Sequence, residues 1–252
     1  MDAATTTTEE ATVADGPAPL RRPPMAVLAL VVVLALTLPA GAVARFGFDT
    51  DRGVTADVTS VIFFVLILGL LSTPWWTGPT RSLAARVQSM CFVWFGITYT
   101  THLSWELGWL ALHDRIVDSP DSAWAYLWWM YIDGGDGRYA TSDPTLVTME
   151  LLSVTNGIIG MTGLWLWWRS RGRAPAATLA FMATAVVHLY STVVYFGSEI
   201  LDGYPNVDTG SFVDLWIKFL LLNGLWLVVP WVVLAWGRRT LDLQYRRTIG
   251  AT

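Results

Sequence analysis

The sequence predicts an all-α integral membrane protein, a bundle of six transmembrane helices, on three observations. Hydrophobic residues make up 54% of the 252-residue chain and charged residues only 14%, whereas soluble domains carry about 25% charged residues. Runs of mostly apolar residues long enough to cross a bilayer as a helix, which takes roughly 20 residues, recur along the chain. The loops between those runs alternate between arginine-rich and aspartate-rich, the charge asymmetry of a multi-pass protein.

The runs fall at about 25–44, 57–76, 87–111, 144–168, 175–197 and 212–236. The first two, MAVLALVVVLALTLPAGAVA and VTSVIFFVLILGLLSTPWW, hold no charge, while the third, fourth and sixth contain ionisable groups. The first run is longer than a signal-peptide core and follows a long polar stretch instead of a short basic start, so it reads as a membrane helix. That polar stretch, MDAATTTTEEATVADGPAPLRRPP (1–24), has almost no bulky apolar residue and is expected to be a disordered cytoplasmic tail. Residues 241–252 are expected to form the other cytoplasmic tail.

Arginine placement sets the orientation, because cytoplasmic loops keep the excess positive charge. Arg21 and Arg22 precede the first run, Arg81 and Arg86 separate the second from the third, Arg169, Arg171 and Arg173 separate the fourth from the fifth, and Arg238, Arg239, Arg246 and Arg247 follow the sixth. The opposite loops carry Asp114, Asp118, Asp121, Asp133 and Asp136, then Glu199, Asp202 and Asp208. Six spans with both termini cytoplasmic fit every loop except the first, where Arg45 and Arg52 compete with Asp49 and Asp51. Trp75, Trp76, Trp167, Trp168 and Trp236 sit at run ends and read as interfacial belts.

Several function classes lack their signatures. The single Cys91 excludes an internal disulfide, and the chain has no glycine-rich phosphate loop, paired-cysteine metal motif, nucleophile elbow or basic patch suited to nucleic acid. What remains is the polar inventory at membrane depth, where an ionisable group costs a few kcal/mol or more and usually faces a protein interior. His102 and Glu106 lie four apart in the third run, on one helix face; Glu150 and Ser153 lie in the fourth, His188 and Thr192 in the fifth, and Asn223 and Trp226 in the sixth. His102, Glu106 and Glu150 all fall within about three turns of the acidic side, at 1.5 Å per residue, so they converge on one cavity. Carboxylates held close in low dielectric push one pKa upward and yield an acid still protonated near neutral pH. Plainer roles are expected for three groups: an i,i+4 ion pair for Asp214 and Lys218, a carbonyl hydrogen bond for His188, and a position at the water interface for Glu199.

Four stretches in order resemble the emopamil-binding protein (EXPERA) family, which includes the sterol delta-8 to delta-7 isomerases. They are HLSWELGW (102–109), GDGRYATSDPTLVTMELLSVTNGIIGMTGLW (135–165), VYFGSEILDGY (194–204) and LLLNGLWLVVP (220–230). The resemblance covers about residues 57–240, a five-helix membrane domain to which residues 25–44 add an N-terminal helix. It implies His102, Glu106 and Glu150 as the acid/base set, and Trp226, Asn223, Ser153, Tyr195, Thr192 and Trp105 as substrate contacts. It departs from the family at Thr192, where the sterol isomerases have Asp, at His188, where Gln is expected, and at Lys218, where an aromatic is expected. Lys218 is the only lysine among 16 basic residues, a usage typical of GC-rich genomes, and in a bacterium a terpenoid substrate is favoured over a sterol.

The resemblance implies protonation of an alkene, a carbocation, and deprotonation elsewhere, with no metal or organic cofactor. The expected partners are a lipophilic sterol or terpenoid and membrane lipid, with no nucleic acid; a homodimer suits the family, though no spacing demonstrates one. The expected location is the endoplasmic reticulum in a eukaryote and the plasma membrane in a bacterium. Two other readings stand beside the isomerase: a proton-initiated membrane terpene cyclase acting on a prenylated substrate, and a non-catalytic lipid-binding module.

Overall fold

The computed structural model describes residues 25–77, 80–141 and 143–250, and all regular structure among them is helical. The predicted tail 1–24 lies outside the described residues. Helices α1 (Met25–Gly47) and α2 (Arg52–Trp76) are followed by α3 (Leu83–Thr101), which runs through a π turn (His102–Glu106) into α4 (Leu107–Val117). A short helix α5 (Tyr126–Gly135) and a 3₁₀ turn (Gly137–Ala140) precede α6 (Pro144–Ser170) and α7 (Pro175–Leu201), and a π segment (Val213–Leu222) leads into α8 (Asn223–Gly250).

Local chemistry sets the starts. Asp51, Ser82 and Asp143 cap α2, α3 and α6 by accepting from the backbone N–H three residues on. Pro144 and Pro175 occupy the first helical position, where a missing N–H costs nothing.

Among the described residues, four helices are long and apolar enough to cross a membrane: α1, α2, α7 and the continuous 213–249 stretch. The third and fourth predicted runs are also long helices, but their polar and glycine content keeps them out of that class. Helix α5 has no counterpart among the six runs. Its sequence, YLWWMYIDGG, is ten residues, too short to span and in the range of a buried or re-entrant segment. At the far end, α8 continues to Gly250, so residues 241–250 are helical; Gln244 donates to the Gly172 carbonyl (2.8 Å) and accepts from Thr178 (3.2 Å), tying that end to the α6–α7 turn.

Helix α7 packs between α6 and α8, α3 touches α2, α6 and α8, and α1 rests mainly on α2 and α5. Two aromatic cores form. One gathers Trp94, Phe95, Trp167, Phe181 and Trp236; the other gathers Trp109, Trp128, Tyr139, Tyr195 and Phe219. Trp167 and Trp236 therefore face inward and are not belt residues, unlike Trp168, which is 79% exposed. A run-end position fixes depth in the bilayer but not the face.

Four helical stretches pass from one core to the other through a polar segment: His102 and Glu106 between Tyr99 and Trp109, Glu150 and Ser153 between Met149 and Trp167, His188 and Thr192 between Ala185 and Tyr195, Asn223 and Trp226 between Phe219 and Val229. Glycine lets these stretches meet. A Cβ at Gly160 would lie 2.2 Å from the Tyr99 ring, and one at Gly157 would lie 2.9 Å from His102 Cβ, so α6 presses its backbone against α3, the small-residue contact typical of membrane helices.

Ion pairs fix the rest. The expected pair of Lys218 and Asp214 is present (2.5 Å), and Lys218 Nζ also meets Asp57 (3.0 Å) and the Asp133 carbonyl (3.0 Å), joining α2, α5 and the π segment. Arg45 and Arg52, the two arginines that broke the loop-charge pattern, pair with Asp49 (2.9 Å), and with Asp121 (2.8 Å) and Asp133 (2.6 Å).

Gly160→Ala should destabilise the protein by about 1–3 kcal/mol through overpacking, while Gly197→Ala, whose Cβ would meet nothing within 4 Å, should not. Thermal unfolding in detergent, at roughly 2–4 °C per kcal/mol for a chain of this size, checks both; equal effects would contradict the close α3–α6 contact.

Candidate active site

A π turn widens a helix by one residue and is frequent where function requires a side chain to be re-aimed. Both π stretches of this chain border one cavity. In the first, His102 and Glu106 are buried on the inner side, and His102 Nδ1 lies 2.5 Å from Glu106 Oε2. In the second, the change from π to α geometry at Asn223 frees backbone carbonyls, which its Nδ2 satisfies at Phe219 (2.7 Å) and Lys218 (3.1 Å).

The cavity, about 70 Å³, is lined by His102, Glu106, Tyr139, Met149, Glu150, Ser153, His188, Ser191, Thr192, Tyr195, Asn223 and Trp226. It brings together the three acid/base candidates and five of the six substrate-contact candidates. Trp105 is the exception. It stands one layer back, edge-on to Tyr131 and Tyr139, with its Nε1 donating to the Leu127 carbonyl (3.2 Å), because the π turn rotates it away from the face shared by His102 and Glu106.

Glu150 is held asymmetrically. Its Oε1 accepts from the Tyr139 hydroxyl, while its Oε2, buried, has no partner among the described residues. Burial first, then the neighbouring Glu150 charge, pushes the Tyr139 phenol well above its ordinary pKa, so Tyr139 remains a donor and does not surrender its proton.

A second network aims Asn223. Tyr195 gives its hydroxyl hydrogen to Asp136 (2.6 Å), so the Tyr131 hydroxyl, 2.7 Å from that of Tyr195, must be the donor between them, and Tyr131 in turn accepts from Asn223 Nδ2 (2.8 Å). With Nδ2 committed to three acceptors, Asn223 has Oδ1 left to accept from the cavity. Asp136, fully buried, is neutralised by Arg138 (2.7 Å). Burial works against the Arg138 charge, but the Asp136 carboxylate outweighs it and holds the guanidinium pKa above its usual value.

Trp226 donates from Nε1 to Thr98 Oγ1 (2.7 Å) and its ring centroid lies 6.2 Å from that of His102. His188 does not bond a carbonyl as expected: its Nε2 lies 2.9 Å from His102 Nε2. Glu199 is 2% exposed, accepts from the Asn206 backbone N–H (2.7 Å) and lines a separate polar cavity of about 390 Å³. Tyr139, Tyr131 and Thr98 escaped the sequence reading, and Asp136 was read there only as a loop charge; Tyr139, Tyr131 and Asp136 lie in or beside a polar loop whose inward course only the α5 turn reveals.

The profile described as EXPERA (EXPanded EBP superfamily) matches residues 127–236. The mouse 3-beta-hydroxysteroid-Delta(8),Delta(7)-isomerase is 30% identical over 166 residues, covering 64% of this chain and 70% of the mouse protein. The chain belongs to this EXPERA family. The rat isomerase is also 30% identical, over 146 residues, 58% of this chain and 62% of its own length, so the chain spans a little under two thirds of that relative. Isomeliandiol synthase of Melia azedarach is 22% identical over 157 residues, 62% of this chain and 71% of the synthase. Glu150, Tyr195, Asn223 and Trp226 fall inside the EXPERA match; His102 and Glu106 precede it.

Tyr139→Phe keeps the ring packing but removes the hydroxyl that donates to Glu150. Losing a hydrogen bond to a buried carboxylate costs about 1–3 kcal/mol, so the melting temperature in detergent should fall by several degrees, and a double-mutant cycle with Glu150→Gln should show coupling between the two positions. Additive effects would mean that the two side chains do not interact.

Proposed function

We propose that this EXPERA-family chain is a membrane-embedded isomerase that shifts a carbon–carbon double bond in a sterol or related polycyclic terpenoid. The supporting observation is the convergence of His102, Glu106 and Glu150 in one buried cavity beneath Trp226, with a carboxylate oxygen of Glu150 left free. The relatives named as sterol isomerases agree with it. In the proposed arrangement the six spans are α1, α2, α3 through α4, α6, α7 and the π segment with α8, both termini cytoplasmic and α5 not crossing.

Alkene isomerisation needs a proton donor, a site that tolerates a cation, and a base at a different carbon. Glu106, resupplied by His102, gives a proton to the alkene, whose π electrons form the new C–H bond. Trp226 turns its π face to the resulting cation, an interaction worth about 2 kcal/mol or more when desolvated, and the Glu150 carboxylate stabilises the same charge. A cavity carboxylate takes a proton from a neighbouring carbon, whose C–H electrons restore the double bond at its new position. Burial excludes the water that would quench the cation. Asn223 Oδ1 and Ser153 orient a substrate hydroxyl. Ligand pockets are typically about 300–1,000 Å³, so a polycyclic substrate must displace lining side chains; Met149, flexible at three bonds, and half-buried Trp226 are suited to yield.

Thr192 favours a second reading. It lines the cavity where the sterol isomerases carry Asp, so the same acid chemistry acting on a prenylated substrate would make the chain a terpene cyclase.

Membranes containing the protein, incubated in heavy water with a delta-8 sterol and separately with a prenylated phenol, should return a same-mass-skeleton sterol with a shifted double bond and one deuterium. Deuterium in a cyclised phenol would establish the cyclase instead, and unlabelled substrates would leave a binding module. Glu106→Gln and Glu150→Gln should each lower turnover by about 10²-fold or more, the scale of general acid–base catalysis, while binding of the uncharged lipid substrate survives. Full turnover in both variants would defeat the assignment.

A further inference from the structure

His188 has no role in the reaction as set out above, yet it is 3% exposed, lines the same cavity, and places its Nε2 2.9 Å from the Nε2 of His102. Two ring nitrogens approach that closely only when one carries a hydrogen and the other offers a lone pair. The other nitrogen of His102 is engaged by Glu106 at 2.5 Å. Thr98 Oγ1, which accepts from Trp226, sits 3.1 Å from His102 Nε2 and 3.5 Å from His188 Nε2, bracing the contact. Glu106, His102 and His188 thus form an unbroken line from a carboxylate through two imidazoles, built across α3, its π turn and α7.

We propose that His102 and His188 bind one proton jointly, and that this shared proton is the reservoir that charges the acid of the isomerase. The proposal rests on the isomerase reading. His188 acts through His102 and is a positioning residue. In the charged pair, each ring carries a hydrogen on Nδ1 and one proton lies between the two Nε2 atoms: a single positive charge opposite the Glu106 carboxylate. On donation, the Nδ1 hydrogen of His102 passes through the Glu106 carboxyl to the alkene, whose π pair becomes the C–H bond, and the pair is left neutral. The proton lost from the neighbouring carbon, whose C–H electrons form the new double bond, is taken by a cavity carboxylate and returns through Glu106. A second proton would set two N–H cations face to face in a dry site, so the pair takes up one proton and not two. The other ionisable groups facing it are Glu150 on α6, Tyr139 on the 3₁₀ turn and Tyr195 on α7; Asp136 and Arg138 lie behind Tyr195, and α8 presents only the neutral Asn223 and Trp226.

The chain has three histidines, and the third, His113, is bonded to the Thr141 carbonyl (3.0 Å) away from the cavity, which makes ¹⁵N-histidine NMR of the full chain in lipid nanodiscs a direct test. Expected in the wild type is one transition in which His102 and His188 move together and neither reaches the full imidazolium shift. In His188→Gln, which keeps an N–H donor but cannot hold a proton, His102 should reach full imidazolium alone, with its midpoint displaced by about one pH unit and the pH–rate profile displaced with it. A wild-type titration in which one ring protonates fully while the other stays neutral overturns the proposal, as does a His102 titration unchanged by His188→Gln. Should the variant fail to fold, reported by loss of the His113 signal, the wild-type titration alone decides. A shared titration in a protein that labels no substrate in heavy water would leave the proton pair standing and remove the isomerase reading.

Discussion

Desolvation of charge governs this structure. A carboxylate or imidazolium at membrane depth has no water to answer it, and the cost of leaving it alone exceeds that of almost any packing defect. The helices are accordingly arranged so that nearly every buried charge meets a partner: Lys218 meets two aspartates, Asp136 meets Arg138, and Glu106 meets His102. Pairing of this kind adds little net stability. The contacts of Lys218 instead fix α2 and α5 against the second π stretch, and the cavity is the space left between two aromatic cores.

Against that background, the free Oε2 of Glu150 is informative. Among the described residues this is the buried carboxylate oxygen left unanswered, and it faces the place where the proposed reaction develops positive charge. Such an atom is a cost in the empty site and a favourable contact once a cation forms beside it, which is how a site binds a transition state more tightly than a ground state.

Much of this was legible from residue type and spacing. The i,i+4 relation of His102 and Glu106 and the depth of Glu150 require only helical periodicity and the scarcity of charge in membrane runs, while the cavity positions of Asn223 and Trp226 were legible through the family resemblance. What sequence could not supply was rotation and return. The π turns move Trp105 out of the cavity, and helix periodicity assumes a constant turn. The chain between α4 and α6 re-enters the bundle through the left-handed Gly134 (φ 75°), carrying Tyr139 and Asp136 inward, and a ten-residue aromatic run followed by aspartates and glycines reads as a loop until its partners are known. Trp167 and Trp236 show the same limit: a helix end gives depth, and only packing gives the face.

The two glutamates also differ in what can refill them. Glu106 is hydrogen-bonded to an imidazole, whose second ring nitrogen gives it a further proton-bearing contact, and that imidazole touches a second one. Glu150 is bonded to a phenol whose pKa is raised by burial and by Glu150 itself, so the phenol steadies the carboxylate without ever handing it a proton. In the proposed reaction the donor is the carboxyl with a supply line and the charge stabiliser is the one without. The cavity enforces this division by second contacts alone, because the residues themselves are chemically identical.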